Sequence, residues 1–339
     1  MEILKIAIAG FGGVGRATAA LLLKRLPRYR EVYGLDVRLV SVSGSRAGLD
    51  DERGLGPERL NAPLEDGLSG PEFIAASNAD ILIEAGPSDV RTGAPGLAYI
   101  RASLAAGRDV IVISKGALAL SAPELRSLAH KSGAMLKVSG AAGAALPALD
   151  LLTHSLKGCH VLEIEGILNA TTNYLLDAMM NQGVGFPKAL AGAKAGGFAE
   201  ADPRSDTEGW DTAAKLLILA NFGLGADLTM KDIAVDGIQS LSKQTISAWR
   251  AEQRVPKLIG RLIRENGAVR ATVGVRLYPS GDPLAQVSGK NKAVRIVTEE
   301  MGEMIAIGSG TEPFATAAAA LKDLEHIMMA RRATSPRRY

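Results

Sequence analysis

The chain contains very little cysteine and no long apolar run. Its 339 residues include a single cysteine, Cys159, so no disulfide can form within the chain. Such sparing use of cysteine fits the reducing cytoplasm, where we expect the protein to act. No apolar stretch reaches the roughly 18–20 residues that span a bilayer, and Met1 leads directly into a first strand. We therefore expect neither a transmembrane helix nor a signal peptide, and no membrane partner.

Aromatic residues are also scarce, and neither sign of charge dominates. Aromatic side chains make up 4% of the chain, and 39 basic residues are mixed with 36 acidic ones. No basic stripe interleaved with aromatics occurs, which argues against a nucleic-acid partner, and the basic residues 331–339 read as a frayed terminus. The 4 histidines form no zinc motif, and neither a serine nucleophile elbow nor a Walker loop occurs. The sequence therefore predicts no metal site.

A glycine-rich turn near the N-terminus carries a strong positive signal. A short apolar strand over residues 4–9 runs into Gly10-Phe-Gly-Gly-Val-Gly15, and a helix is predicted over 16–26. This is the G-x-G-x-x-G pattern in the strand–turn–helix setting that dinucleotide binding requires. The glycines permit a tight turn, close approach of backbone to a pyrophosphate, and close packing of helix on strand. The alternative is a glycine-rich turn of another α/β fold.

Strands and helices continue to alternate up to about residue 134. The further segments of this part are strands at 36–43, 80–84 and 109–114 and helices at 93–106 and 123–132. The charged stretch 44–70, with scattered glycine and proline, is predicted to be a loop. Such alternation implies a parallel sheet that helices cover on both faces.

The pattern changes in the second part of the chain. Alternating segments at 271–277 and 293–299 predict antiparallel strands, and an amphipathic C-terminal helix over 315–329 is expected to pack on the first domain. We predict an α/β protein with two domains. The first is a Rossmann-like parallel-sheet domain for dinucleotide binding, formed by 1–134 with 312–339. The second is an α+β domain for substrate binding and dimerisation, over 135–311.

The end of the second strand bears on the choice of dinucleotide. NAD-selective sites commonly place an acid there to bind the ribose hydroxyls, but this strand ends in Ser-Gly-Ser45-Arg46. Ser45 and Arg46 are suited to hold a 2′-phosphate, so we predict NADP as the preferred cofactor, with NAD still usable. The alternative is that Arg46 is an ordinary exposed arginine. The predicted cofactor contacts are Gly10, Phe11, Gly12, Gly13, Val14, Gly15, Ser45, Arg46, Ser88 and Lys115.

The most informative segment is an acidic loop that runs into an apolar helix. Glu200, Asp202, Asp206 and Glu208 precede a helix that is apolar nearly all round, yet carries Asp211 and Lys215 one turn apart. An Asp–Lys pair at this spacing is usually an exposed pair worth about 0.3–0.5 kcal/mol. Because four apolar residues follow the lysine at once, a lysine in an acidic pocket is the better interpretation.

Several segments together resemble the homoserine dehydrogenase family. The glycine loop, residues 166–176 (Gly-Ile-Leu-Asn-Ala-Thr-Thr-Asn-Tyr-Leu-Leu), the loop and helix 197–220, and later segments at 283–289 and 316–323 are similar to its motifs. The resemblance spans nearly the whole chain. It implies NAD(P)-dependent interconversion of L-homoserine and L-aspartate 4-semialdehyde by a short monofunctional form without a regulatory domain. It also implies a small amino-acid substrate and, with the antiparallel strands, a homodimer.

The resemblance assigns roles to particular residues. It implies that Lys215 is the main acid/base group and that Lys115, just past the carboxyl end of a strand, assists in proton transfer. It also implies that acids hold the ammonium group of the substrate, although Asp211 could instead only orient Lys215. The predicted substrate contacts are Glu200, Asp211, Asn169 and Thr172. For the residues around Asn169, helix capping is the alternative.

The chain also departs from the family pattern. Ala144, Ala145 and Ala170 stand where glycines are usual, and Ser139 stands where many members carry a glutamate linked to a structural sodium. These changes leave open a related dehydrogenase that acts on another amino or hydroxy aldehyde. A second alternative is a non-catalytic dinucleotide-binding protein, against which the retained lysines and acids argue. An acyl enzyme of the aspartate-semialdehyde dehydrogenase kind is disfavoured, since nothing in the sequence would activate Cys159.

Overall fold

The computed structural model describes residues 1–310 and 313–334, and the chain divides into two compact units. The first unit comprises residues 1–145 and the described part of 311–339, and the second comprises Leu146–Gly310. Among the described residues, no helix combines the length and the apolar character that a membrane span needs.

Within the described residues, the first unit is built on a seven-stranded sheet in the order β4-β3-β2-β1-β5-β6-β7. Its strands are β1 Glu2–Ala9, β2 Leu35–Ser43, β3 Ala47–Asp50, β4 Glu65–Asp66, β5 Ile81–Glu84, β6 Asp109–Val112 and β7 Leu136–Lys137. Its helices are α1 Gly13–Tyr33, α2 Pro57–Asn61, α3 Pro71–Ala76, α4 Gly96–Ala105, α5 Gly116–Ser132, α6 Ser139–Ala142 and, at the C-terminus, α13 Phe314–Thr334.

The five strands β2, β1, β5, β6 and β7 run parallel, which confirms the Rossmann-like prediction. Residues 6–9 of the central strand β1 and 81–83 of β5 are apolar and buried, as expected for parallel strands covered on both faces. The C-terminal helix α13 packs on α1, as the sequence predicted, and Arg28 and Tyr33 of α1 both donate to the carboxylate of Glu325.

The stretch 44–70 is not the loop that the sequence predicted. It forms β3, α2 and β4, and the two short strands extend the sheet as an antiparallel edge. Gly48 lies where an added Cβ would be 2.3 Å from the Leu68 carbonyl oxygen and 2.5 Å from that of Val42. The strands β3 and β4 are too short to show a periodic hydrophobic pattern in the sequence. Gly48 is also needed for close packing, and a glycine gives no signal of a strand.

The boundary between the units also differs from the predicted one. Residues 135–145, which the sequence analysis placed in the second domain, lie in the first unit. They belong there because β7 pairs with β6 and because the amide of Ser139 in α6 donates to Asp323 of α13 at 2.9 Å. Of the predicted segment 312–339, residues 312 and 335–339 lie outside the described part of the chain.

Within the described residues, the second unit is built on a six-stranded sheet in the order β13-β12-β8-β10-β11-β9. Its strands are β8 Val161–Ile167, β9 Ile233–Val235, β10 Arg254–Glu265, β11 Ala268–Pro279, β12 Lys292–Thr298 and β13 Gly302–Gly308. Its helices are α7 Ala148–Asp150, α8 Ala170–Gln182, α9 Phe186–Ala195, α10 Arg204–Thr207, α11 Trp210–Ile218 and α12 Lys243–Ala251. The predicted antiparallel strands are confirmed as β11 and β12.

Helix α11 lies against one face of this sheet. Its residues 212–214 and 216–218 are buried, and Gly260 of β10 brings the two elements together. An added Cβ at Gly260 would be 3.2 Å from side-chain atoms of both Leu216 and Thr212. The close packing of α11 on β10 fixes the positions of the two charged residues of α11, Asp211 and Lys215.

Candidate active site

The glycine loop of the first unit is shaped by backbone packing at two of its glycines. Gly10 has a φ of +97°, its N–H donates to the Ser43 carbonyl at 2.7 Å, and an added Cβ would be 2.3 Å from the nitrogen of Gly86. A Cβ at Gly15 would be 2.0 Å from the Gly10 carbonyl oxygen. These two positions therefore admit only glycine, for the turn and for helix–strand packing respectively.

The other two glycines of the loop face open space. An added Cβ at Gly12 or Gly13 would meet nothing within 4 Å, and α1 begins here with no side chain capping its N–H groups. Open backbone N–H groups at the positive end of a helix dipole suit the phosphates of a dinucleotide. The residues present therefore fit the pyrophosphate of the expected cofactor.

A cavity of about 720 Å³ opens in front of this loop. Its walls include the turn Gly10–Val14, the segment Gly44–Ala47 and the turn Ala85–Pro87. Ser45 and Arg46, both exposed, line the cavity as the NADP prediction requires, whereas Gly15, Ser88 and Lys115 are not in its walls. Ser88 and Lys115 are nevertheless joined, since the Lys115 backbone N–H donates to Ser88 Oγ at 2.9 Å.

In the second unit, Lys215 and Asp211 form a largely shielded ion pair. Lys215 Nζ donates to Asp211 Oδ2 at 2.6 Å and to the carbonyl oxygen of Leu168 at 2.9 Å. The side chains of Lys215 and Asp211 are 16% and 12% exposed. The arrangement is thus not the exposed surface pair that is usual at this spacing, and both partners hold the ammonium group in a fixed place.

Asn169 connects this pair to the acidic loop. Its Nδ2 donates to Asp211 Oδ2 at 2.9 Å and to Asp206 Oδ1 at 2.7 Å. Its Oδ1 accepts from the Thr172 backbone N–H at 2.9 Å, which makes Asn169 the N-cap of α8. Asn169 therefore both caps α8 and belongs to the acidic cluster. Its amide oxygen accepts the capping hydrogen bond, and its amide nitrogen donates to the two acids.

Asp206 is a half-buried member of the same cluster. Burial raises the pKa of the Asp206 carboxyl, and the negative charge of Asp211 raises it further, against hydrogen bonds from Thr171 and Asn169 that favour the ionised form. The cluster therefore concentrates negative charge around Lys215, and ionising Asp206 within it carries a cost.

The remaining predicted substrate residues lie in different surroundings. Thr172 is 1% exposed, and its hydroxyl donates to the carbonyl oxygen of Asn169. The geometry thus gives Thr172 a role in holding Asn169. Glu200 is exposed on the acidic loop and is not part of the Asn169 hydrogen-bond group.

The second unit also contains a fully buried lysine that the sequence patterns did not indicate. Lys257 of β10 is 0% exposed, and its Nζ donates to Asn173 Oδ1 at 2.9 Å, Asp177 Oδ1 at 2.9 Å and the Val287 carbonyl oxygen at 2.6 Å. The Asn173 side chain in turn donates to the carbonyl oxygens of Val287 and Gly289. A lysine within the apolar run Val-Pro-Lys-Leu-Ile was the available signal.

The structure shows the backbone conformation at two of the positions that depart from the family pattern. Ala144 has a φ of +53°, in the left-handed region that favours glycine, and so carries backbone strain of about 1–2 kcal/mol. Ala170 is the first residue of α8, where alanine suits the helical backbone.

Comparison with known proteins places both units in one family. The model of the family described as homoserine dehydrogenase matches residues 147–324, and that of the homoserine dehydrogenase NAD-binding domain matches residues 10–139. The NAD(+)-dependent homoserine dehydrogenase of Pseudomonas canavaninivorans is 35% identical, covering 95% of this chain and 96% of the relative. The homoserine dehydrogenase of Methanocaldococcus jannaschii is 34% identical, covering 95% of this chain and 98% of its own.

A solved structure named for the same activity has a similar fold. The crystal structure of a putative homoserine dehydrogenase from Archaeoglobus fulgidus superposes with a TM-score of 0.87 at 31% identity, covering 96% of this chain and 99% of the other. Together with a dinucleotide cradle in the first unit and a shielded acid–lysine cluster in the second, these matches show that the chain belongs to the homoserine dehydrogenase family of NAD(P)-dependent oxidoreductases.

Proposed function

We propose that the protein interconverts L-homoserine and L-aspartate 4-semialdehyde. The observation that carries this proposal is the shielded Lys215–Asp211 pair, held by Asn169 and the Leu168 carbonyl within the segment that the family model matches. A bound nicotinamide ring supplies the acceptor of the hydride in alcohol oxidation and its donor in the reverse direction.

Lys215 has the chemistry that the proton step needs. Oxidising an alcohol requires a group that takes the hydroxyl proton, and reducing an aldehyde requires one that gives it back. Lys215 is this acid/base group, and Asp211 and the Leu168 carbonyl fix the position of its Nζ. Lys115, at the carboxyl end of β6 where parallel sheets bind ligands, assists in the proton transfer.

The acidic residues suit the charge of the substrate. Homoserine carries an ammonium group, which carboxylates and carbonyl-type oxygens bind best. We assign this contact to Glu200, whose side chain is exposed on the acidic loop, together with Asp211 and Asn169. Thr172 supports the group by holding Asn169 through its buried hydroxyl.

Initial rates of nicotinamide reduction with L-homoserine test the proposal. We expect turnover with NADP and a slower rate with NAD. Related amino alcohols and hydroxy acids should give less than about a tenth of the homoserine rate, since a pocket built around one polar group rejects analogues that lack it. NADPH binding without turnover on any of these substrates would overturn the proposed reaction.

The walls of the cofactor cavity support the proposed preference for NADP. The segment after β2 offers Ser45 and Arg46, and the guanidinium of Arg46 is suited to a 2′-phosphate. The relative from Pseudomonas canavaninivorans is NAD(+)-dependent by name, so the cofactor choice of this chain needs a direct test.

Replacing Arg46 tests the preference directly. A hydrogen bond to a charged group is worth about 1.5–3 kcal/mol, so Arg46→Ala should lower kcat/KM with NADP about 10–100-fold while leaving NAD within about threefold. The matched control is Arg53→Ala, an arginine whose side chain is 90% exposed and pairs with Asp51. An equal loss with both cofactors would mean that Arg46 does not read the 2′-phosphate.

We also propose that the protein is a homodimer that acts in the cytoplasm. Helix α11 covers one face of the second unit's sheet, while the other face carries a charged group that includes Glu163, Arg276 and Glu303, with side chains 26%, 41% and 51% exposed. This partly exposed face is where we place the contact between two copies, and sedimentation at micromolar concentration measures it. The single cysteine, Cys159, is consistent with a reducing compartment.

A further inference from the structure

Glu84, the last residue of β5, is a buried carboxylate in the wall of the cofactor cavity. It is 1% exposed. Glutamate is seldom this buried unless partners satisfy its oxygens. Burial raises the pKa of the Glu84 carboxyl, and the hydrogen bonds that it accepts oppose this rise. The proposed reaction gives this side chain no role. It nevertheless lies at the carboxyl end of a central parallel strand, where open parallel sheets bind their ligands.

The two oxygens of Glu84 join two separate segments. Oε1 accepts from the backbone N–H of Gly86 at 2.8 Å, and Oε2 accepts from the hydroxyl of Ser114 at 2.6 Å. The start of α4 closes over the same carboxylate, since an added Cβ at Gly96 would be 2.9 Å from Oε1. The carboxylate thus links the turn after β5 to the end of β6.

Each linked segment leads to a part of the site. The backbone of the turn at Gly86 packs directly on the backbone of Gly10 in the phosphate-binding loop. A Cβ added to Gly10 would lie 2.3 Å from the Gly86 nitrogen. Ser114 directly precedes Lys115, whose backbone N–H donates to Ser88 in the first segment. The two segments therefore brace each other with Glu84 between them.

We propose that Glu84 is a positioning residue that holds the turn Ala85–Ser88 and Lys115 in the geometry needed for cofactor binding and proton transfer. It acts through its two hydrogen bonds, to Gly86 and Ser114. The part concerning Lys115 rests on the proposed role of that lysine, whereas the part concerning the turn does not, because Ala85, Gly86 and Pro87 of the turn line the cofactor cavity.

Direct NADPH binding and steady-state kinetics of two Glu84 variants test the proposal. Glu84→Ala removes both acceptors, and we expect the Kd for NADPH to rise about tenfold and kcat to fall about tenfold, since small misplacements of positioned groups are costly. Glu84→Gln keeps the shape, with an amide oxygen for Gly86 and an NH₂ for Ser114 Oγ. Both parameters should then stay within about threefold of wild type, because the hydrogen bonds are preserved.

A second buried carboxylate provides the matched control. Asp109 is 4% exposed at the opposite, amino end of β6, where it accepts from the Met135 N–H and pairs with Arg331. Asp109→Asn should lower stability without changing the Kd for NADPH or kcat. If Glu84→Ala does not fold, Ser114→Ala takes its place and should raise the Kd about threefold, since one of two neutral-donor bonds is lost.

A Lys115→Ala background separates the two parts of the proposal. In that background Glu84→Ala should lower kcat much less than in wild type, because effects that act through one residue are not additive. If Lys115→Ala alone leaves kcat unchanged, the role of Lys115 fails, while the NADPH measurement still judges Glu84. Wild-type Kd and kcat in folded Glu84→Ala, or equal damage from the alanine and glutamine variants, would overturn the proposal.

Discussion

The Lys215→Ala variant should lose kcat by about 10²–10⁴-fold, the usual contribution of a positioned acid or base. In the structure the ammonium of Lys215 is held by Asp211 at 2.6 Å and by the Leu168 carbonyl at 2.9 Å. Alanine removes the proton donor and acceptor and leaves Asp211 without this cation. The measurement is kcat for L-homoserine oxidation with NADP, together with the Kd for NADPH, which should change by less than about threefold because Lys215 belongs to the second unit.

An exposed lysine of the same unit gives the control. Lys188 lies on α9 with an exposed side chain, and Lys188→Ala should retain wild-type kcat. Asp211→Asn should fall between the two, because the amide can still accept from Lys215 Nζ but no longer provides a charge. If Lys215→Ala keeps near-normal kcat while folded, another group performs the proton step and the assignment of Lys215 is wrong.

Much of the first unit could be predicted because its signals are local. The apolar run of β1, the glycine spacing and the start of α1 lie within a few residues of one another, and each element carries its own pattern. Gly10 and Gly15 could be assigned to the turn and to packing from spacing alone. The antiparallel edge formed by β3 and β4 could not, because strands of four and two residues show no period.

The candidate site was only partly predictable, since its hydrogen bonds join distant parts of the chain. The Asp211–Lys215 pair is four residues apart, and its helical spacing and apolar surroundings pointed to it. The amide of Asn169 reaches Asp206 and Asp211, which are 37 and 42 residues away in sequence. No local pattern indicates that both acids accept from the same amide nitrogen of Asn169, and the packing of the helices α10 and α11 that carry them decides it.

Buried charges were the residues that local reasoning missed. Glu84 ends the short apolar strand β5, and Lys257 lies within the apolar run 255–259 of β10. From sequence alone, each charge would be expected to lie at an exposed position. What makes burial tolerable is a set of partners that the fold supplies. For Glu84 these are Gly86 and Ser114, and for Lys257 the nearest partner in sequence is 30 residues away.

Loss of the Lys257 charge should lower the stability of the whole second unit. Its three acceptors come from α8 and from the loop before β12, so the ammonium joins both to β10. Asp177 also accepts from the Gly289 N–H in that loop. Removing one partner of a buried ion pair leaves an uncompensated charge, which costs far more than the intact pair contributes.

The Lys257→Met variant should therefore lose about 3–5 kcal/mol of unfolding free energy, although methionine retains the length of the apolar stem. Urea denaturation measures the loss, and Lys188→Met, at an exposed position on α9, should change stability by less than about 0.5 kcal/mol. Adding Asp177→Asn to Lys257→Met should restore part of the loss, since it removes the carboxylate left without its cation. The same change alone should destabilise the wild type, because it weakens an intact pair. If Lys257→Met stays within about 1 kcal/mol of wild type, or if Asp177→Asn is equally harmful in both backgrounds, the ion pair does not hold the second unit together.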